Sequence, residues 1–285
     1  MKETPNFDKV LFLTNCREGV TALMNVRKHG NSPFTVAVIH GGPGACGELA
    51  PVASELAKYS GVLEPWQTKT SIEGQIQELK EILIHNGNSP ITLIGHSWGA
   101  WLSYIFTARY PSMVRKLILV SSSPFEDSYS HGIMETRWKR LNDDEKSQLE
   151  NLIQDFSDKH NRSDAERSLL NIGKLMQKAD SFNIIPEPSA IIIPNVDVFR
   201  MVSNEASELR RSGELLHLGK SISCPVVAIH GDYDPHPYQG IQEPLGRMLE
   251  RFRMFLLTDC GHDPWLERSA RNEFFDILKN EIFSA

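Results

Sequence analysis

The residue types around Ser97, and their spacing, could make this serine a nucleophile. It lies between two glycines in the motif Gly-His-Ser-Trp-Gly, which ends an apolar run over residues 91–99. Glycine neighbours lack a Cβ atom, so they let a serine hydroxyl project clear of a sharp turn between a strand and a helix. The first turn of the following helix would place free N–H groups beside a developing negative charge. The motif therefore predicts a nucleophilic serine; the alternative is a glycine-rich turn with an idle serine.

A serine hydroxyl is a poor nucleophile unless a base removes its proton. Where a serine occupies such a turn, an acid and then a histidine follow it along the chain, each after a late strand. An apolar run over residues 253–257 leads to His262, and Asp232 and Asp234 come just after the run over residues 225–230. We predict that His262 is the general base and that Asp234 orients it. Asp232 is the alternative acid, but Asp234 lies deeper in the loop and precedes a proline that restricts the turn.

A second glycine-rich motif, His-Gly-Gly-Pro-Gly, covers residues 40–44 and follows an apolar run over residues 35–39. A loop in this place could supply one of the backbone N–H groups that stabilise an oxyanion. We assign the two donors to Gly42 and Trp98, each typically worth about 3–4 kcal/mol of transition-state stabilisation. A phosphate-binding loop is the alternative, but no Gly-Lys-Ser/Thr or Gly-x-Gly-x-x-Gly pattern occurs here. His40 is expected to brace the loop.

Other polar residues near these motifs are predicted to be structural. They are His96, His236, Cys46 and Cys260. Asp259 and Asp263 lie close to His262 in sequence, and residues this close rarely reach the far side of a neighbouring imidazole. We therefore expect these two carboxylates to cap the loop or to face solvent.

The composition is that of a globular protein with an ordinary core: 285 residues, 40% of them hydrophobic and 23% charged. The formal net charge is −6 and Lys and Arg form no block, which argues against nucleic acid or an anionic membrane as a partner. The expected partner is a small-molecule or short peptide substrate. The four cysteines form no Cys-x-x-Cys pair, so neither a metal site nor a disulfide framework is predicted. The predicted chemistry requires no cofactor.

The first residues are polar, and no apolar segment typical of a signal peptide follows them. No run of about 18 apolar residues occurs, so no membrane span is predicted. Unpaired cysteines suit a reducing compartment, and a cytoplasmic location is therefore expected.

The elements that must hold these residues alternate between strands and helices. Continuous apolar runs predict buried parallel strands over residues 35–39, 91–95, 116–120 and 225–230. Residues 10–13 and 21–26 predict an antiparallel pair at the edge. Thr70 with Glu73 predicts a capping box at the start of a helix. Such alternation indicates an α/β fold with a mostly parallel central sheet flanked by helices.

Residues 124–213 form a strand-poor, charged segment that predicts a helical insertion. Asn142 with Glu145 indicates a helix start within it. The predicted core domain therefore comprises residues 1–123 and 214–285, with a helical cap or lid between its two parts.

Together, the motifs at residues 40–44, 95–99, 231–234 and 261–262 resemble those of the α/β-hydrolase superfamily. Within it, His-Gly-Gly-Pro-Gly with Gly-x-Ser-Trp-Gly is similar to the proline iminopeptidase branch. The resemblance implies an α/β-hydrolase fold with a helical lid, and it implies that Asp234, the last residue of Gly-Asp-Tyr-Asp, is the triad acid. The sequence departs from the branch at His96 and Ala100, where Gly and Ser are frequent. It also lacks the branch's Asp-x-Arg-Gly-x-Gly segment after the second major strand.

In that branch, lid glutamates grip the free amino group of the substrate, and their local motif does not occur here. One candidate is Glu205, which shares a predicted helix face with Val198 and Val202. A lid helix buried along this face would carry the carboxylate inward, where a substrate ammonium could pair with it. The alternative is an ion pair at the edge of the helix with Arg200 or Arg210.

These observations predict a serine hydrolase that forms an acyl-enzyme with a small ester, amide or N-terminal peptide substrate. Trp66 and Phe125 are predicted apolar walls of its pocket, although aromatic side chains more often belong to a core. A carboxylesterase or lipase, an acyltransferase and a slow small-molecule receptor are the alternatives. Dehalogenases and epoxide hydrolases of this fold use an aspartate nucleophile, and Ser97 argues against both.

Overall fold

A computed structural model describes residues 25–158, 162–186 and 192–283. The predicted strand over residues 10–13 lies outside these residues, as does most of residues 21–26. The described chain forms a seven-stranded sheet packed between helices. Its strands are β1 (Val26–His29), β2 (Phe34–Ile39), β4 (Gly61–Pro65), β5 (Ile91–His96), β6 (Val114–Val120), β8 (Val226–Gly231) and β9 (Phe252–Leu257), and a separate two-stranded ribbon pairs β3 (Ala45–Cys46) with β7 (Ile193–Pro194).

The sheet has the strand order β1-β4-β2-β5-β6-β8-β9. β1 pairs antiparallel with β4, and the other neighbours are parallel. The four strands predicted from continuous apolar runs are confirmed as β2, β5, β6 and β8. Because parallel strands all end at the same edge, the loops after β2, β5, β8 and β9 begin side by side. These four loops carry the motifs that contain the predicted catalytic and oxyanion-binding residues.

Helices cover both faces of the sheet, and further helices form the segment between β6 and β8. The described helices are α1 (Ala50–Leu56), α2 (Ile72–Asn86), α3 (Trp98–Arg109), α4 (Ile133–Arg140), α5 (Asp143–Asp158), α6 (Arg162–Asp180), α7 (Val196–Arg211), α8 (Glu214–His217), α9 (Gln239–Met248) and α10 (Arg271–Phe283). Alternate residues of β2 enter different cores: Ala37 and Ile39 pack with α2 and α3, whereas Val36 and Val38 pack with α1 and α10. This period of two on a sheet buried on both faces explains the continuous apolar run.

Two predicted helix starts have different outcomes. Asn142 and Glu145 form a reciprocal capping box at α5, with N–H to carboxylate and N–H to amide distances of 3.0 and 2.9 Å, as predicted. At α2, however, the cap is Ser71, whose hydroxyl accepts the N–H of Gly74 (3.1 Å). The prediction that Thr70 caps this helix is therefore wrong by one residue. Glu73 instead forms an ion pair with Arg109 on α3.

The predicted insertion over residues 124–213 contains α4, α5, α6 and α7, between β6 and β8. Leu141, Leu149, Leu175 and Ala179 give α4 to α6 a small apolar cluster of their own. Val198 and Val202 of α7 instead join the core beneath α2 and α3. The insertion thus joins the apolar core of the sheet domain through α7, and α4 to α6 share a small apolar core of their own.

Candidate active site

Ser97 occupies a strained turn between β5 and α3, with φ 51° and ψ −115°. Two close approaches require the flanking glycines. A Cβ atom on Gly95 would lie 2.2 Å from the carbonyl oxygen of Gly99, and one on Gly99 would lie 2.1 Å from that of Ile39. Neither position has room for a Cβ atom, which is the steric reason for a glycine on each side of the serine turn.

The imidazole of His262 is hydrogen-bonded to Asp234. Its Nδ1 atom donates to Oδ2 of the carboxylate at 2.7 Å, although the two residues are 28 positions apart. Within the described residues, no hydrogen bond joins the hydroxyl of Ser97 to this ring, and Nε2 of His262 has no partner. Such bonds are often long before a substrate binds. The ring of His96, the residue before Ser97, lies 4.8 Å from the ring of His262.

Electrostatics favour the protonated form of His262 in this site. Burial lowers its pKa, but the charge and hydrogen bond of Asp234, with the charges of Asp180 and Asp263, outweigh burial and raise the pKa to about 9. Burial raises the pKa of Asp234, yet the neighbouring histidines hold it well below the usual value. The pair is therefore a carboxylate that stabilises an imidazolium, which is the charge state a serine–histidine proton transfer produces.

The carboxylate of Asp234 is shared with a second imidazole. Its Oδ1 atom accepts the backbone N–H of His236 (2.9 Å) and Nδ1–H of the same residue (2.8 Å). His230 donates from Nε2 to the carbonyl of His236 (2.8 Å) and so supports this turn. The sequence predicts only a structural role for His236; the bond from its backbone N–H to the side chain two residues earlier is a local turn pattern that the sequence could have indicated. Asp232 is exposed and accepts the N–H of Cys260 at 3.3 Å, a loop-bracing contact.

The backbone N–H groups of Gly42 and Trp98 have no protein acceptor among the described residues. His40 helps to keep the first of them free. The N–H of Gln67 donates to Nε2 of His40 (3.3 Å), so this ring carries its proton on Nδ1 and donates it to the carbonyl of Gly41 (2.8 Å). Because the peptide between Gly41 and Gly42 is trans, the Gly42 N–H points the opposite way. We refer to residues 40–46 as the oxyanion loop and to residues 258–263 as the base loop.

His96 and Glu48 form a second pair beside the first, in which His96 is buried and Glu48 is partly exposed. Nδ1 of His96 donates to Oε2 of Glu48 (3.1 Å), and Nε2 donates to the backbone carbonyl of His262 (3.0 Å). Asp263 is also buried here, with Oδ1 at 3.5 Å from Nε2 of His96, so the expectation that it caps the loop or faces solvent is wrong. Glu48 was not identified from the sequence, because nothing in its local pattern marks it.

Two groups of side chains have ligand atoms close enough to share a metal ion: Asp234, His236 and His262, and Glu48, His96 and Asp263. In the first group both Nδ1 atoms donate to the carboxylate, so their lone pairs are not directed at a common ion. In the second group the carboxylates lie at opposite nitrogens of one ring. Neither donor set converges on a single metal position.

The three predicted substrate-binding residues lie in different surroundings. Phe125 is fully buried against Tyr104, with ring centroids 4.8 Å apart, so it belongs to the core and not to a pocket wall. Glu205 is exposed, and its Oε2 accepts the N–H of Ile72 at the start of α2 (2.8 Å). The prediction that its helix carries the carboxylate inward is therefore wrong. Trp66 is half-buried beneath the guanidinium of Arg27, and its indole N–H has no partner among the described residues.

The insertion supports the base loop directly. At the end of α6, the carbonyl of Asp180 accepts the backbone N–H of His262 (3.0 Å). The carboxylate of Asp180 accepts two hydrogen bonds from Arg137, at 2.7 and 2.6 Å. Gln177 of the same helix donates to Oδ2 of Asp263 (2.8 Å). The end of α6 therefore fixes the loop that carries the imidazole.

The insertion also meets the oxyanion loop. β7 pairs with β3, and the N–H of Asn195 donates to the carbonyl of Gly44 (3.2 Å). A Cβ atom on Gly44 would lie 2.9 Å from the carbonyl oxygen of Asn195, and its φ of +83° also suits glycine. Both sides of the site are thus braced by residues between β6 and β8.

Among the described helices, none has the length and apolar character needed to cross a bilayer.

Comparison with known proteins gives a family match over most of the chain. The sequence profile of the family described as "alpha/beta hydrolase fold" matches residues 57–268. Epoxide hydrolase 4 of Mus musculus is 33% identical over 75 residues, which cover 26% of this chain and 21% of that protein. Epoxide hydrolase 3 of Xenopus tropicalis is 22% identical over 253 residues, covering 80% of this chain and 63% of the relative. The chain therefore matches less than two thirds of the length of either relative.

Solved structures resemble the fold over nearly the whole chain. A hydrolase from Oleispira antarctica superposes with a TM-score of 0.62 at 16% identity, covering 94% of this chain and 97% of the other. A proline iminopeptidase from Mycobacterium smegmatis superposes with a TM-score of 0.58 at 14% identity, covering 90% and 93%. At such identities the likeness concerns the fold, and it confirms the fold predicted from the sequence.

Proposed function

This chain belongs to the α/β-hydrolase fold family, and from that premise we propose that it is a serine hydrolase with Ser97 as nucleophile, His262 as general base and Asp234 as the orienting acid. The observation that carries the proposal is the 2.7 Å bond between Asp234 and Nδ1 of His262, while Nε2 of that ring has no partner among the residues that the structure describes. A histidine held at one nitrogen and free at the other can accept a proton from a nearby hydroxyl.

In the proposed reaction, the hydroxyl of Ser97 attacks the substrate carbonyl and its proton passes to Nε2 of His262. Asp234 holds the Nδ1–H tautomer and stabilises the imidazolium. The N–H groups of Gly42 and Trp98 receive the oxyanion of the tetrahedral intermediate. His262 then protonates the leaving group, and the same base activates a water molecule that hydrolyses the acyl-enzyme. Each proton taken by the imidazole is returned in the following half-step.

The relatives named epoxide hydrolases suggest a second reaction, which the nucleophile disfavours. An aspartate that opens an epoxide forms an ester, and water can hydrolyse that ester. A serine that opened an epoxide would form an ether, which water and a histidine base do not cleave, and the enzyme would stop after one turnover. Ser97 therefore favours acyl transfer to water.

For the substrate we propose a small neutral acyl ester ahead of an N-terminal peptide. An aminopeptidase must bind the free amino group of its substrate, and the candidate for that role, Glu205, is bound to the N–H of Ile72. An iminopeptidase-like activity is the second candidate, because the motifs at residues 40–44 and 95–99 resemble that branch. An acyltransferase would use the same residues and differ in how well it excludes water.

We further propose that residues 124–213 act as a lid and that the protein works in the cytoplasm.

A fluorophosphonate probe tests the nucleophile. We expect wild type to be labelled, Ser97→Ala to be unlabelled, and Ser147→Ala, which alters an exposed serine on α5, to be labelled at the wild-type rate. Labelling that persists in Ser97→Ala would identify another nucleophile. No labelling of folded wild type would favour a receptor without turnover.

A substrate series tests the acyl group. Short-chain p-nitrophenyl esters, aminoacyl p-nitroanilides and lactones are compared by kcat/KM. We expect the short-chain esters to be the best substrates. A preference for aminoacyl p-nitroanilides would replace the ester proposal with the aminopeptidase.

A further inference from the structure

Glu48 is a partly buried carboxylate, with its side chain 20% exposed, and the proposed mechanism gives it no role. It lies between β3 and α1, and its Oε2 atom accepts the backbone N–H of Gly41 at 2.7 Å and Nδ1–H of His96 at 3.1 Å. Gly41 belongs to the oxyanion loop, and His96 directly precedes Ser97. One carboxylate oxygen therefore joins the oxyanion loop to the serine turn.

His96 extends this connection to the base loop. Its Nε2–H donates to the backbone carbonyl of His262 at 3.0 Å, and its ring meets Trp265 edge-on with centroids 4.7 Å apart. A carbonyl and an ionised carboxylate can only accept hydrogen bonds, so both nitrogens of this ring act as donors while Glu48 is ionised. The ring is almost completely buried, and with both nitrogens bound it has no freedom to turn.

Glu48 stays ionised over the neutral pH range. Burial raises its pKa, but the charge and hydrogen bond of His96, with the hydrogen bond from Gly41, outweigh burial and lower the pKa to about 2. Asp263 faces the other edge of His96, and Oδ2 of Asp263 is held by Gln177. The carboxylate of Glu48 is thus the group that takes Nδ1–H of His96.

Three of these groups lie close to Gly41. A Cβ atom on Gly41 would lie 2.8 Å from Oε2 of Glu48, 3.1 Å from Nδ1 of His96 and 3.2 Å from Cβ of Ser97. The oxyanion loop, the serine turn and the Glu48–His96 pair therefore meet at one point. Catalytic geometry is sensitive to such support, since a misplacement of about 1 Å can cost about a hundredfold in rate.

We propose that Glu48 is a positioning residue: acting through His96, it holds the oxyanion loop, the serine turn and the base loop in one relative geometry. The inference rests on the proposed hydrolase function, and Glu48 itself touches no reacting atom.

Glu48→Gln is the principal test. The amide oxygen can still accept the N–H of Gly41, but the charge that holds His96 is removed. We expect kcat on a p-nitrophenyl ester and the rate of fluorophosphonate labelling to fall about tenfold, with KM within about twofold, because the geometry of the transition state changes and substrate binding does not. Glu48→Ala should lose about a hundredfold, so the glutamine variant represents a partial rescue.

Glu64→Gln is the matched control. Glu64 is a fully buried carboxylate that also accepts a histidine N–H, from His29 at 2.8 Å, but this pair joins β4 to the edge strand β1. We expect this variant to lose thermal stability while its kcat and labelling rate stay within about twofold of wild type. An equal loss of rate in both variants would mean that removing any buried carboxylate suffices, and it would overturn the proposal.

A second readout does not require turnover. In histidine-selective ¹⁵N NMR, the Nδ1 proton of His262 reports the bond to Asp234, and we expect it to shift in Glu48→Gln but not in Glu64→Gln. An unchanged resonance together with wild-type labelling in Glu48→Gln would show that Glu48 positions nothing. If wild type itself is not labelled, the proposed function fails, and the NMR shift still decides whether Glu48 holds the base loop. If Glu48→Ala does not fold, Glu48→Gln alone decides.

Discussion

Two histidine–carboxylate pairs lie side by side at the edge of the sheet, with the centroids of the two histidine rings 4.8 Å apart. In the first, Asp234 holds one nitrogen of His262, whose side chain is 12% exposed and whose other nitrogen has no protein partner in the described chain. In the second, Glu48 holds one nitrogen of His96, whose side chain is 1% exposed and whose other nitrogen is bound to a carbonyl. The same two functional groups thus occur once with a free ring nitrogen and once with both ring nitrogens bound.

The difference shows that residue type does not decide whether such a pair can do chemistry. A histidine can move a proton only if one nitrogen is accessible to the reacting group. A histidine bound at both nitrogens can only hold its neighbours in place. The pair with the free nitrogen is the proposed catalytic pair, and the saturated pair is the proposed support.

Of the variants that test this comparison, Asp234→Asn should cause the largest loss of kcat. An amide cannot fix the Nδ1–H tautomer of His262 or stabilise its cation, and kcat should fall about 10⁴-fold while the fold is kept. Ester hydrolysis under saturating substrate measures the change, and circular dichroism checks the fold. Asp232→Asn, which alters the exposed acid of the same loop, should stay within a few-fold of wild type. A similar loss in both variants would remove the distinction between the two acids.

The pH dependence of kcat/KM should show which pair titrates in the free enzyme. Only neutral His262 can act as a base, and its pKa is raised to about 9, so activity should climb with pH and level off above that value. Two pH units below the midpoint, kcat/KM should be about a hundredfold lower, since each unit changes the neutral fraction tenfold. A profile that is already flat at neutral pH would mean that His262 is not the group whose ionisation limits the rate.

The two pairs should stabilise the fold at opposite ends of the pH scale. The pKa of His262 is raised from 6.5 to about 9, so its contribution is complete below 6.5 and is lost as pH rises through 9. The pKa of Glu48 is lowered from 4.5 to about 2, so its contribution is complete above 4.5 and is lost as pH falls through 2. Thermal midpoints across pH for wild type, His262→Gln and Glu48→Gln measure both. The gap to wild type should close on the alkaline side for His262→Gln and on the acid side for Glu48→Gln; closure on the same side would contradict the assignment.

Glu205→Gln should have the smallest effect, because its carboxylate is exposed and the amide oxygen can still accept the N–H of Ile72. We expect a change in stability within about 0.5 kcal/mol and the same kcat/KM as wild type on both acyl esters and aminoacyl anilides. A selective loss on the aminoacyl substrate would restore Glu205 to substrate recognition.

Local chemistry made much of this protein predictable from its sequence. Glycines on both sides of Ser97 mark a turn that tolerates no Cβ atom, and runs of Val, Ile and Leu mark strands that are buried on both faces. Because parallel strands end at one edge, the loops that carry Asp234 and His262 could be assigned to the same side of the sheet before any contact was known. These inferences use only residues that are near one another in the chain.

What the sequence could not determine depends on contacts between distant residues. Glu48 and His96 are 48 positions apart, and Asp180 reaches His262 across 82 positions, so no local pattern reports either contact. The direction of Glu205 was wrong for a related reason, since the rotation of its helix was inferred from an apolar face while the N–H of Ile72 captured the carboxylate. Periodicity determines which face of a helix is buried, but only the packed structure decides which side chain at the edge of that face finds a partner.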